Sequence, residues 1–330
     1  MEINSSDLIN KEYILLDWNV IKYLKKPRNS ADEEAKRILD SIRKKYEIPF
    51  CEAHLRDLAR SYSEENKNRV NDDLDFLQEL SCGVAVAVNG DNAFLLKYSA
   101  KDLFQEIINE PPTQINITAN MNPQSIFKVD MSKVESAHPL REMLEKYGGV
   151  YGPGIMANTL NDMFGRIFSE IDDYKKYRSY IVKLRKDLED DQNTNLLPRD
   201  QEYKDLLKNH MIPFLDVLEI EDEDKLASVW NDTVIEWLHM RYKENIPYEE
   251  LVTNSYDMLD FHPLFRERLK KQKNTLSNII RDSRMVFYAS KSKHFITEDN
   301  SCYEKANFLF RTLGIKEKAL KMSEFIAKFS

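Results

Sequence analysis

Residues 14 to 21 read ILLDWNVI: three apolar residues run into Asp17, and Asn19 follows two places later before the apolar character resumes. With Tyr13 in front, the run YILL (13–16) is short, apolar and partly β-branched, which is the pattern of a buried strand. WNVIKYLKK then places Val20, Ile21 and Leu24 at helical spacing, and Pro27 ends that helix. SADEEAKRILDSIRKKY predicts a second helix with Ser30 as its N-cap over an acidic first turn. A further short strand, EIPF (47–50), leads into the helix EAHLRDLARSY. Strand, helix, strand in this order predicts a parallel sheet.

The same alternation returns at the other end of the chain. NTLSNIIRDSRMVFYASKS reads as a helix, HFIT (294–297) as a strand, YEKANFLFRTLG as a helix, KALKM as a strand and SEFIAKF as a last helix. Between about 65 and 274 most segments carry apolar residues every three or four positions, as in TLNDMFGRIFSEIDDYKKYRSYIVKLRKDLED and DKLASVWNDTVIEWLHMRYKE, and predict amphipathic helices. CGVAVAVNGD (82–91) reads as a strand with a turn, and 111–125 and 192–200 as loops. The simplest organisation is one α/β domain built from residues 1–64 and 275–330 and interrupted by a mainly helical insertion, 65–274. Such an interruption is physically easy, because loop-closure entropy grows slowly with length.

A chain of 330 residues is long enough to bury a sizeable core, and its apolar and charged fractions are those of an ordinary globular protein. No run approaches the roughly 20 apolar residues of a membrane span, and MEINSSDLINKE lacks the basic-then-apolar pattern of a secretion signal, so a cytoplasmic protein with no membrane partner is expected. Cys51, Cys82 and Cys302 are too scattered for a disulfide framework or zinc knuckle and read as small hydrophobes. The formal net charge of -8 argues against a nucleic-acid binder until it is divided along the chain. Residues 1–60 carry 12 Lys/Arg against 11 Asp/Glu and residues 262–330 carry 15 against 7, which leaves -17 for the middle. The ends and the middle therefore suit different partners.

Ligands of open parallel sheets bind beyond the carboxyl ends of the strands. Asp17 stands just past the first predicted strand and Asp299 just past HFIT, while Glu52 and Asp57 follow EIPF on the helix leaving it. Asp282 shares a helical stripe with Ile279, Met285, Val286 and Ala289, and Asp57 borders Leu55, Leu58, Ala59 and Tyr62. Singly, each acid is adequately explained as a cap or turn residue; the joint pattern is what carries weight. Carboxylates gathered at one spot repel one another, and a divalent cation reverses that penalty. Oxygen ligands without Cys or His suit Mg²⁺ or Mn²⁺ rather than zinc.

These residues resemble the PIN-domain and PIN-like nucleases. That family typically begins with a strand ending in Asp, a small hydroxyl residue and Asn, to which ILLDWNVI is similar, with Trp18 in the hydroxyl position. IPFCEAHLRDLARSY resembles the second motif through Cys51 and Asp57; Asp282 followed by Ala289 resembles the third, and FITED with Thr297 and Asp299 the fourth. LGIKEKALKMSEFIAKF is similar to the family's common ending. The resemblance covers roughly residues 10–62 and 275–330. It implies a PIN-like parallel-sheet sandwich formed by both chain ends, and hydrolysis of phosphodiesters by water activated on one or two Mg²⁺ or Mn²⁺ ions held by Asp17, Asp57, Asp282 and Asp299. It also implies that Asn19 and Thr297 orient the acids, with Glu52 able to stand in for Asp57. Where the family often carries another acid two places after the fourth, this chain has Ser301.

Nucleic acid needs cations near those acids. Lys22, Lys25 and Lys26 follow the first motif, and Lys270 and Lys271, in FRERLKKQKN, lead towards Arg281 on the helix of Asp282. RNA is expected over DNA because the resemblance is to mostly RNA-directed enzymes. The acidic insertion reads as a lid, a surface for homo-oligomerisation or a docking site for a regulatory protein, and a regulated toxin or defence effector is one setting for such an enzyme. Trp230, Trp237 and Tyr242 read as core. His54 reads as a core or surface histidine in preference to a substrate contact. An inactive nucleic-acid-binding or protein-interaction scaffold of the same fold is the competing expectation. An aspartyl phosphatase is disfavoured because Asn19 stands where that chemistry needs a second acid.

Overall fold

A computed structural model describes residues 8–9, 11–109, 127–128, 131–133, 136, 141, 145, 150–151, 216–239, 242, 244–260, 262–265, 276–316 and 318–330, with 8, 60, 89, 127–128, 133, 150–151 and 276–281 described by their backbone alone. The strands are β1 (Leu8–Ile9), β2 (Ile14–Leu16), β3 (Val84–Asn89), β4 (Asn92–Lys97), β5 (Phe127–Lys128), β6 (Val150–Tyr151), β7 (His294–Ile296) and β8 (Lys318–Leu320). The helices are α1 (Trp18–Lys25), α2 (Ser30–Ile42), α3 (Glu52–Ser61), α4 (Lys67–Leu80), α5 (Ala100–Asn109), α6 (Glu223–His239), α7 (Tyr248–Leu259), α8 (Leu276–Ala289), α9 (Asn300–Thr312) and α10 (Met322–Phe329). Among the described residues no helix is long and apolar enough to cross a membrane.

Two compact units divide the chain. The first comprises Met1–Pro111, Asn245–Arg266 and Ile280–Ser330, and the second Pro112–Glu244 and Glu267–Ile279. The first unit is mixed α/β, mostly helical, around a small parallel sheet in the order β2-β7-β8, with Leu15 opposite Phe295 and Phe295 opposite Ala319. It reaches further into the chain than residues 1–64 and 275–330, because α4, the β3–β4 hairpin, α5 and α7 also pack here.

EIPF, expected as a strand, pairs only at its two ends. Glu47 makes a parallel bridge to Tyr13 and Phe50 one to Ala85, and Pro49 between them has no N–H to extend the ladder. These bridges still join the parallel strands to the β1-β4-β3 sheet, giving the continuous order β8-β7-β2-(47–50)-β3-β4-β1. β3 and β4 close through a two-residue turn in which Gly90 takes the positive φ of +59° that such a hairpin requires.

Alternation along the strands sends side chains to both faces. Ile14, Leu16, Phe50, Ala85 and Ile296 pack with α1, α2, α4, α5 and α10, whereas Tyr13, Leu15, Val84, Val86, Phe295 and Ala319 pack with α7, α8 and α9. Both faces of the sheet are therefore covered by helices. The N-cap of α2 is Asn29 and not Ser30: the Asn29 side chain accepts from the Ala31 and Asp32 amides at 3.0 and 3.1 Å, one residue earlier than expected.

The described residues of the second unit include the β5–β6 pair, a 3-10 turn at Met131–Lys133, and α6, which buries Leu226, Trp230, Val234 and Leu238 at every fourth position. The helix expected over TLND…DLED and the loops expected over 111–125 and 192–200 lie outside the described residues.

Candidate functional site

From β2 the chain passes through α1 and α2 to 47–50 on one side, while β7, on the other side of β2, continues through α9 to β8. The carboxyl ends of β2 and β7 thus flank the point where the strand order reverses, which is where an open parallel sheet leaves a crevice. Asp17 begins there. Its N–H donates to the Ile296 carbonyl at 2.8 Å, and it occupies the N-cap position of α1 without using its side chain as a cap. The carboxylate instead accepts, through Oδ2, the Thr297 hydroxyl at 2.9 Å. That hydroxyl oxygen also accepts the Asp299 N–H at 3.1 Å, so one threonine ties the first acid to the loop bearing the fourth. Asp299 is exposed and caps α9, its Oδ1 accepting the Cys302 N–H at 2.9 Å.

The electrostatics draw in the other two acids. Burial pushes Asp17 up to about 6; the Thr297 hydroxyl opposes this, and the neighbouring charges of Asp299 and Asp57 add to it. Burial likewise raises the Cys302 thiol, which sits in the field of Asp282, Asp17 and Asp299. All four sequence-predicted acids therefore share one charged neighbourhood. Asp57 and Asp282 are half-buried on α3 and α8, beside the buried Leu55 and Leu58 and the buried Met285, Val286 and Ala289, as the helical spacing implies.

Glu52 does not join the acids. Its carboxylate accepts from Arg56, from Arg284 at 3.2 Å and from the Tyr288 hydroxyl at 3.4 Å, which clamps α3 to α8, the helices carrying Asp57 and Asp282. Asn19 accepts from Lys22 Nζ at 3.4 Å and not from a group bound to an acid. Lys22 is exposed over the Trp18 ring and Lys26 is exposed, whereas Lys25 is held in an ion pair with Asp73 at 2.6 Å. Lys270, Lys271 and the side chain of Arg281 lie outside the described residues.

His54 is wholly buried. Its Nδ1 accepts the Cys51 N–H at 3.0 Å, so the ring proton is on Nε2 and donates to the Leu16 carbonyl at 2.7 Å. Burial lowers its pKa to about 4, with the Leu16 carbonyl opposing. The ring thus fixes the end of β2 immediately before Asp17.

Sequence reasoning missed the layer behind the acids. Lys305 and Asp260 form an ion pair in which both side chains are 1 % exposed, and Lys305 Nζ also lies 5.1 Å from the Tyr256 ring centroid. Burial pushes the Tyr256 hydroxyl up, with Cys302, Asp282 and Asp260 contributing. The available signal was a lysine beside the apolar stripe Cys302, Ala306 and Leu309, the same kind of signal that singled out Asp282.

The donor chemistry suits a hard divalent ion: oxygen ligands only, and an Asp17 whose charged neighbours are two further carboxylates. The spacing falls short of a closed ligand set, since among the described residues no three His, Cys, Asp or Glu stand close enough together to hold a metal ion. Comparison with protein-family models, curated proteins and solved structures gives no match to this chain.

Proposed function

We propose that this chain is a metal-dependent nuclease of PIN-like fold that hydrolyses phosphodiester bonds, with RNA as substrate. The observation that carries the reading is the tie made by Thr297 between Asp17 and Asp299 in the crevice between β2 and β7, where Asp57 and Asp282 add their charge. The helices on both faces of a parallel sheet support the PIN-like sandwich. Asp17, Asp57, Asp282 and Asp299 would hold one or two Mg²⁺ or Mn²⁺ ions, which when bound make a water nucleophilic near neutral pH and offset the charge of the scissile phosphate. Thr297 fixes the orientation of the Asp17 carboxylate, and His54 holds the strand end from which that carboxylate projects.

Cleavage of mixed-sequence single-stranded RNA and DNA in Mn²⁺ or Mg²⁺, by the wild type and by folded Asp17→Asn and Asp282→Asn, tests this. Loss of cutting in both variants supports the reading, and undiminished cutting in either refutes it. A second reading, a nucleic-acid-binding scaffold of the same fold, is favoured by the wide spacing of the acids. It predicts binding without cutting by the wild type in either metal.

A further inference from the structure

Lys321 follows β8 at the carboxyl edge of the sheet. Leu320, just before it, accepts the Thr297 N–H at 3.0 Å, so the Lys321 backbone lies one strand from the residue that holds Asp17 and about 10 Å, two strand spacings, from Asp17 itself. Its side chain turns over Tyr303, with Nζ 4.9 Å from the ring centroid. Tyr303 is one turn along α9 from Asp299, its N–H donating to the Asp299 carbonyl at 3.0 Å. The ammonium therefore rests on a residue of the same helix that Asp299 caps, one turn along from it.

That nitrogen is in an unfavourable place. It is shut off from solvent and has neither a hydrogen-bond acceptor nor an ion pair among the described residues. Lys321 is also the N-cap of α10, the positive end of the helix, where an anion is favoured and a cation is not. The carboxylates at this end are turned to other donors: Glu324 accepts the Lys321 N–H at 2.8 Å and the Tyr303 hydroxyl at 3.1 Å, and Glu298 accepts the Met322 N–H at 2.8 Å. A ring face is weak compensation for a buried ammonium. A buried donor without an acceptor calls for a partner, and a bound anion supplies one.

We propose that Lys321 is a phosphate contact for a nucleic-acid strand lying across the acids: on binding, its ammonium leaves the Tyr303 ring for a backbone phosphate beside the scissile one. This rests on the nuclease reading for the identity of the anion. A lysine supplies a point charge on a flexible stem, which suits positioning a phosphate without reading sequence.

The test uses the full chain carrying Asp17→Asn, to prevent cutting, with fluorescein-labelled mixed-sequence single-stranded RNA followed by anisotropy from 50 to 300 mM salt. Lys321→Met should weaken binding about tenfold near 0.1 M salt and lower the slope of log affinity against log salt by about one, while Lys321→Arg keeps most of the affinity. Urea unfolding of Lys321→Met without RNA should show equal or greater stability, since a buried unpaired charge has been removed, whereas a lysine with a purely structural role would lose stability. Unchanged affinity and slope in Lys321→Met overturns the proposal, and so does an absence of RNA binding by the Asp17→Asn parent. The two readings separate cleanly. A wild type that binds RNA in a Lys321-dependent way without ever cutting sinks the nuclease reading alone, and Asp17-dependent cutting with Lys321-independent binding sinks this one alone.

Discussion

Asp17→Asn should make the protein more stable at neutral pH while abolishing the proposed RNA cleavage. Folding raises the Asp17 pKa from 3.8 to about 6, so above pH 6 the folded state holds a charge that the unfolded state carries more easily. At about 1.4 kcal/mol per unit, that is a penalty of about 3 kcal/mol at pH 8. Asn keeps an oxygen to accept the Thr297 hydroxyl but loses charge assistance to that bond, which takes back about 1 kcal/mol. The net expectation is about 2 kcal/mol of stabilisation at pH 8. Because the pKa is raised on folding, the wild type recovers stability as pH falls through 6 towards 3.8, so the advantage of the variant should shrink by pH 5 and be gone near pH 4. The linkage of His54 is common to both proteins and cancels in the difference. Urea unfolding of both proteins in chelator at pH 8, 5 and 4 measures this. A variant that is less stable at pH 8, or whose difference from wild type is flat with pH, refutes the reasoning that Asp17 is held in a dry, like-charged crevice.

Three further outcomes follow from the same geometry. His54→Phe leaves the Cys51 N–H and Leu16 carbonyl without the partners they have now and should cost about 3 kcal/mol by urea unfolding. It should also remove one acid-side component of the wild type: between pH 6.5 and about 4 the unfolded chain takes up a proton that folded His54 refuses, a loss of up to about 3 kcal/mol as pH falls. Thr297→Val removes the hydroxyl that holds the Asp17 pKa down, so the acid limb of the pH–rate profile for RNA cleavage should move to higher pH, while circular dichroism shows the fold intact. Lys305→Met removes the cation paired with the buried Asp260 and should destabilise by about 3 to 5 kcal/mol, and adding Asp260→Leu should restore most of that, as thermal unfolding of the single and double variants will show.

Much of the placement of the candidate site residues was legible from one dimension because strand ends and helical stripes are local features. Asp17 at the end of YILL and Asp299 after HFIT needed only the strands to be recognised, and Asp282 betrayed itself by standing among apolar residues. What was not legible depends on partners distant in sequence. The periodicity of α7 shows that one face is buried but not that its cover is α9, so its membership of the same unit as the acids could not be read. Pro49 leaves EIPF as a link with one bridge at each end, a compromise that propensity alone does not express. Glu52 could be placed near the acids by sequence, but its engagement by Arg284 depends on α8, more than two hundred residues away. Lys321, after a strand, reads like any surface lysine, and only the packing of Tyr303 over it makes it conspicuous.

The proposed nuclease requires that Asp17, Asp57, Asp282 and Asp299 form one divalent-metal site. Calorimetric titration of Mn²⁺ into the wild type, Asp17→Asn and Asp282→Asn, at pH 7.5 where Asp17 is ionised, tests it without any substrate. One or two ions should bind the wild type, with at least a tenfold loss of affinity in each variant. A wild type that binds no Mn²⁺, or that binds it equally well after either substitution, would contradict it.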